Sequence, residues 1–133
     1  MVLLVGAVYL VIGIGFAKFS DWATTNAMHL MWRRLAWLVS AFGFAAHIAY
    51  EHFRLRNAAR ANAMHVSCAA ALGAFGLAGA ANVHEWTSAA PYRASIALAL
   101  VAWPLLTAIP AFVVAMVVAS ALNLWRRRSE PHE

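Results

Sequence analysis

Four long apolar stretches separated by short polar connectors govern what this chain can fold into: Met1 to Phe19, Ala27 to His52, Ala61 to Trp86 and Ser95 to Trp125. A hydrocarbon core about 30 Å thick is crossed by about 20 residues of helix, and each stretch is of that order. Inside lipid the backbone must satisfy its own polar groups, which a helix does within one segment. The expectation is an all-α integral membrane protein, with helices over about 1–19, 27–54, 61–86 and 95–125 in a single domain. The connectors Ser20 to Asn26 and Thr87 to Ala94, the second containing Pro91, are too short for anything but neighbouring helices. An antiparallel up-and-down bundle of four transmembrane helices follows.

Composition agrees with lipid as the main solvent. The 133 residues are 64% hydrophobic and 11% charged, against roughly 25% charged in soluble domains. Four spans fill this length, leaving no room for a separate soluble domain. Residues Met1 to Ala17 carry no side-chain charge and Lys18 follows them, whereas a signal peptide places positive charge ahead of its apolar run. The first stretch is therefore read as an uncleaved helix.

Orientation is read from the basic residues. Both termini and the turn after the second stretch share one side, which holds Arg54, Arg56, Arg60, Arg126, Arg127 and Arg128, while the other holds Lys18, Arg33, Arg34 and Arg93. The excess points to a bacterial-type inner membrane with both termini cytoplasmic. The net charge of +5 is then a membrane-boundary property, with the Trp125 to Arg128 end facing anionic lipid. It is too short a basic run to suggest nucleic-acid binding.

Several features have structural explanations. The single Cys68 can form no internal disulfide, belongs to no C-x-x-C or C-x-x-C-H motif, and is expected as a small buried packing residue. The Ala- and Gly-rich run from Ala69 to Ala81 lets helices approach closely in lipid, and the same small residues would make space for a flat cofactor. Pro104 and Pro110, flanking Thr107, predict a kinked or locally opened fourth helix. Five of the six tryptophans fall near span ends, as an aromatic belt requires. Asp21, Trp22, Asn82, His84, Glu85 and Trp86 gather at the end opposite the basic turn; an aromatic belt explains them, and a quinone pocket is the alternative.

The histidines carry the sharpest pattern. His47 and His65 lie at nearly equal distances from a turn centred near residue 56, as do His29 and His84. In an antiparallel hairpin each pair is level, one near the cytoplasmic face and one near the opposite face. His29 and His47 are 18 residues apart, five full turns, and share a helix face; His65 and His84, 19 apart, are offset by about 100°. Imidazoles from two helices can ligate haem iron axially. Arg33 and Arg56 are candidates to pair haem propionates at the two levels. The levels lie about 27 Å apart, which would put both sites near the interfaces.

The cytoplasmic level also suggests a metal or proton-handling centre. His47 and Glu51 are four apart on one helix face, His52 follows, and His65 stands opposite. Two or three nitrogens and a carboxylate could meet there, although the order matches neither H-E-x-x-H nor H-x-x-E-H. Alternatively Glu51 pairs with Arg54 or Arg56 at the surface. No G-x-S-x-G elbow, phosphate loop or dinucleotide fingerprint is present. The sequence therefore points to a membrane electron-transfer protein or subunit rather than a self-contained enzyme, using haem b through His29, His47, His65 and His84, or His47, Glu51 and His65 around a metal. The alternatives are an accessory subunit among other membrane subunits and a small homo-oligomeric transporter or channel.

Overall fold

The computed structural model describes residues 1–87 and 94–129, and every regular element in them is a helix: α1 Val2–Asp21, α2 Asn26–Phe53, α3 Ala59–Thr87 and α4 Ala94–Ser129. Pro91 and Arg93 lie outside the described residues. Three helices are long and apolar enough to cross a membrane: α1, α3, and α4 over Ile96–Arg126. Helix α2 has ample length at 28 residues, but Arg33 and Arg34 near one end and His47, Glu51 and His52 near the other lower its apolar character.

Local chemistry sets the helix ends. Thr25, in an extended conformation, accepts a hydrogen bond from the Met28 amide through Oγ1 at 3.3 Å and so caps α2. After Phe53 the Arg54 and Leu55 amides both reach back to the Tyr50 carbonyl, at 2.9 and 3.3 Å, and the Asn57 amide reaches the Glu51 carbonyl at 3.2 Å. This closure puts Arg56 at φ 52°, the left-handed region in which a helix commonly terminates. Helix α4 continues through Pro104 and Pro110, where the Thr107 hydroxyl donates to the Trp103 carbonyl.

The contacts between helices follow a consistent order. From α1 to α2, Ser20 meets His29, Phe16 meets Trp32, and Tyr9 meets Gly43, so numbers rise on one helix as they fall on the other. From α1 to α3 they rise together: Gly6 lies against Ala69 and Leu72, Tyr9 against Gly73, Leu10 against Gly76, and Gly13 against Leu77. A Cβ on Gly73 would stand 2.7 Å from that of Tyr9. The absent side chain is therefore what lets α1 and α3 approach. Between α3 and α4, Asn82 donates to the Ile96 carbonyl at 2.8 Å, and Val66 packs near Ala115.

Helix α3 is the most enclosed of the three apolar helices, while α1 and α4 turn most of their surface outward. The enclosed apolar cluster is Ile48, Ala63, Val66 and Ala115, flanked by Phe44, Phe112 and Met116. It lies close to the α2–α3 turn. At the opposite end, Trp32 stacks on Phe19 with ring centroids 5.1 Å apart and contacts Phe16 at 6.1 Å, closing the α1–α2 hairpin. Cys68, expected to be buried, is exposed on α3, because helical rotation turns its face away from the one that encloses Asn62, Val66, Ala69 and Gly73.

Candidate functional site

The candidate site forms where the last turn of α2 meets the first turns of α3. The tight turn brings the two helices together within a few residues of each other, and helical spacing puts His47 and Glu51 on one face. Glu51 is 0% exposed, His52 3% and His47 5%. Side chains this polar are seldom fully enclosed unless they have partners.

The carboxylate of Glu51 is the hub. A carboxylate only accepts, so the Nδ1–H of His65 donates to Oε2, at 3.0 Å, and the Asn57 side-chain amide donates to the same oxygen. On the other side, Nε2 of His47 lies 3.5 Å from Oε1, beyond the range of a formed hydrogen bond but within reach of a small adjustment. The three residues thus form a row: imidazole, carboxylate, imidazole. His65 is half-exposed, with 46% of its side chain accessible, so the row runs from the surface inward.

A second polar contact fixes the helices around the row. Asn62, fully enclosed, donates through Nδ2 to the Ile48 carbonyl at 3.1 Å. Both ring nitrogens of His47, both of His52 and the Asn62 Oδ1 are buried without a hydrogen-bond partner. Enclosed polar atoms normally have partners. A concentration of unpartnered ones beside a carboxylate distinguishes this end of the molecule from ordinary packing.

The sequence-level candidates separate into two groups. His47, Glu51 and His65 are brought together. Arg56 is exposed in the turn and Glu51 is partnered by Asn57 and His65, not by Arg54 or Arg56. At the other level, His29 is hydrogen-bonded through Nδ1 to Ser20 Oγ at 3.0 Å, while His84 is exposed. Arg33 is exposed and lines a small pocket with Phe16, Ser20 and Trp32. Asn82 ties α3 to α4 through the Ile96 carbonyl.

A facing pair of haem ligands needs both imidazoles to aim a nitrogen at one iron. Here the Glu51 carboxylate stands between His47 and His65, so the pair does not fit that geometry as arranged. Among the described residues no group of three His, Cys, Asp or Glu side chains has the arrangement of a metal site. What the row can do chemically is hold and pass a proton, since imidazole accepts on one nitrogen and releases from the other.

Sequence reading found Glu51 and its two histidines but missed Asn57 and Asn62. Their signal was available: both are polar residues beside the start of an apolar helix, and Asn62 is level with Ile48 across the turn. No protein-family model, no curated protein and no solved structure matches the chain.

Proposed function

We propose that this chain is a four-span antiparallel membrane bundle whose working centre is the His65, Glu51, His47 row, a proton-handling element of a small transporter or of a membrane redox assembly. The carrying observation is Glu51, fully enclosed with an imidazole on either side. An ionisable group enclosed within a membrane protein is costly, and its retention marks a functional position by default. The contact order, rising and falling along successive helices, supports the antiparallel reading. Three helices are apolar enough to span, and α2, long enough to do so, would place its charged residues near the two interfaces.

The arginines at 54, 56, 60, 126, 127 and 128 support an orientation with both termini cytoplasmic in an inner membrane. His65 then takes up a proton at Nε2 from the cytoplasmic surface and gives up its Nδ1 proton to Oε2 of Glu51. Rotation of the protonated carboxyl about its Cγ–Cδ bond then carries that same hydrogen from the His65 side to the His47 side, where Nε2 of His47 accepts it once the 3.5 Å gap closes. The outward apolar faces of α1 and α4 suit lipid, other membrane subunits or a second copy.

The test is proton uptake by vesicles that contain the protein and a trapped pH dye, driven by a potassium diffusion potential. Wild-type protein is expected to acidify the lumen above protein-free vesicles, and Glu51→Gln to fall to that background. Equal rates for the two proteins, or no wild-type flux above background, would overturn the relay.

A second reading is favoured by one detail. A ligating histidine usually donates its other ring N–H to a carboxylate, and His65 does so to Glu51. His65 would then be the residue that holds the iron of a haem b through Nε2, with Glu51 orienting its ring, and the haem when bound would supply one-electron redox chemistry.

A further inference from the structure

The α1–α2 hairpin carries a cleft at the end opposite the histidine row, a space of about 240 Å³ bordered by Gly13, Phe16 and Ser20 of α1 and by Trp32, Arg33 and Ala36 of α2. On α1 these residues are three and four apart and form one face. The antiparallel contacts give the depth order: Ser20 meets His29, and Phe16 meets Trp32 one turn further in. Arg33 is therefore level with Phe16, and Gly13 and Ala36 lie about one further turn below. The walls are set by other contacts. The Ser20 hydroxyl and Nδ1 of His29 are 3.0 Å apart at the mouth, and Trp32 stacks on Phe19 while contacting Phe16. A cavity of about 150 Å³ takes the six carbons of benzene, so this cleft takes a somewhat longer stretch of one hydrocarbon chain.

Arg33 supplies the charge. It stands about 10 Å along the axis from the start of α2 at Asn26, below the level where water is plentiful in the four-span arrangement. A guanidinium at that depth is costly unless it reaches upward to the interface and an anion. Side chains on a helix tilt toward its N-terminus, which for α2 is the interfacial end, so Arg33 has the reach. Yet the chain offers it no carboxylate: the ion pairs among the described residues are Lys18 with Asp21 and Glu51 with His47 and His65. An unpaired cation over an apolar cleft matches a molecule with an anion at its head and hydrocarbon below. Basic pockets between transmembrane helices hold acidic lipid headgroups by this chemistry.

We infer that the cleft is a binding site for one phospholipid of net negative charge, its phosphate paired with Arg33 and one acyl chain lying against Gly13 and Ala36. A zwitterionic lipid brings its own cation to compete with Arg33, so the anionic class is preferred. Arg34, one residue on, is exposed and does not border the cleft. The inference rests on α2 lying in the bilayer, as the four-span reading has it, and on nothing in the proton row, none of whose members borders the cleft.

Native mass spectrometry of the full chain in detergent micelles, titrated with phosphatidylglycerol and phosphatidylcholine of the same acyl chains, measures the affinity of the first lipid bound. Phosphatidylglycerol is expected to bind wild-type protein more tightly, one molecule per chain before weaker additions. Arg33→Gln should lower the affinity of that first molecule at least about fivefold, the effect of one charge-assisted pair, and Arg34→Gln should change it less than about twofold. Ala17→Leu, at an exposed position bordering the same cleft, fills the space and should weaken both lipids. Glycerophosphoglycerol, the headgroup without chains, should displace neither. Equal affinity for the two lipids, or a first site that Arg33→Gln leaves intact, would overturn the inference. So would displacement by the chain-free headgroup, which would make this a site for a soluble phosphate ester. A separate readout tests the reading beneath it: Ala41→Cys, exposed midway along α2, in a Cys68→Ser background should resist a membrane-impermeant maleimide in nanodiscs, where both faces are open to reagent. Labelling there would overturn the four-span arrangement and the lipid site together, whereas protection without Arg33-dependent lipid would overturn the lipid site alone.

Discussion

The Nδ1–H of His65 donates to Oε2 of Glu51 at 3.0 Å, so a half-exposed imidazole on α3 is hydrogen-bonded to a carboxylate on α2 with no exposure. This bond crosses the turn and joins the surface to the interior. Around it, Asn57 supplies a second donor to the same carboxylate and His47 waits on the opposite oxygen. The energetic consequences of that arrangement can be measured one residue at a time.

Removing the hub should cost more than neutralising it. Glu51→Ala strips His65 and Asn57 of their acceptor and leaves polar atoms enclosed around a hole, at about 3 kcal/mol. Glu51→Gln keeps the volume and one acceptor oxygen, so about 1 kcal/mol is expected. Reversible unfolding in mixed micelles would rank the two, and equal losses would show that the hydrogen bonds add nothing to shape.

The close approach of α1 and α3 rests on Gly73. In Gly73→Ala the new methyl meets the Cβ of Tyr9 at 2.7 Å, an atom tied to its backbone, so the helices must separate. Overpacking of this kind costs about 1–3 kcal/mol. Gly79→Ala, six residues on, meets nothing within 4 Å and gains helix propensity, so it should be neutral or stabilise by up to about 1 kcal/mol. Thermal unfolding of the two variants in parallel checks the contrast.

The turn holds its own strain. Arg56 has φ 52°, a conformation glycine adopts without a side-chain clash. Arg56→Gly should therefore raise stability by about 0.5–1 kcal/mol. A loss instead would indicate that the exposed guanidinium makes a compensating contact with lipid headgroups, which the salt dependence of stability would reveal.

The haem reading makes a spectroscopic prediction. If His65 supplies an axial nitrogen, protein purified from membranes shows a Soret band and, after dithionite, sharpened α and β bands that His65→Ala abolishes and His84→Ala retains. A featureless spectrum with no stoichiometric metal would remove that reading and leave the proton row standing.

Much of the site could be read in the sequence because it depends on local spacing. His47 and Glu51 share a face by helical periodicity, and a short turn necessarily makes His65 level with them. The same argument applied to His29 and His84 assumes that α2 and α3 stay side by side along their length. They do not meet there: His29 bonds Ser20 of α1 instead, and α1 packs its glycine-notched face along α3. Level is a property of hairpin connectivity, whereas neighbourhood depends on which helix faces fit.

What the sequence alone determined is the helical class and the position of each helix, since apolar runs of this length have few other ways to satisfy their backbone in lipid. It also determined the closeness of the residues flanking the α2–α3 turn. Only the tertiary structure decided that Glu51 is enclosed between two imidazoles and that Asn57 and Asn62 secure that end. These follow from helix rotation and from the glycine notches that set interhelical distance, quantities summed over many weak contacts that no single stretch of sequence encodes.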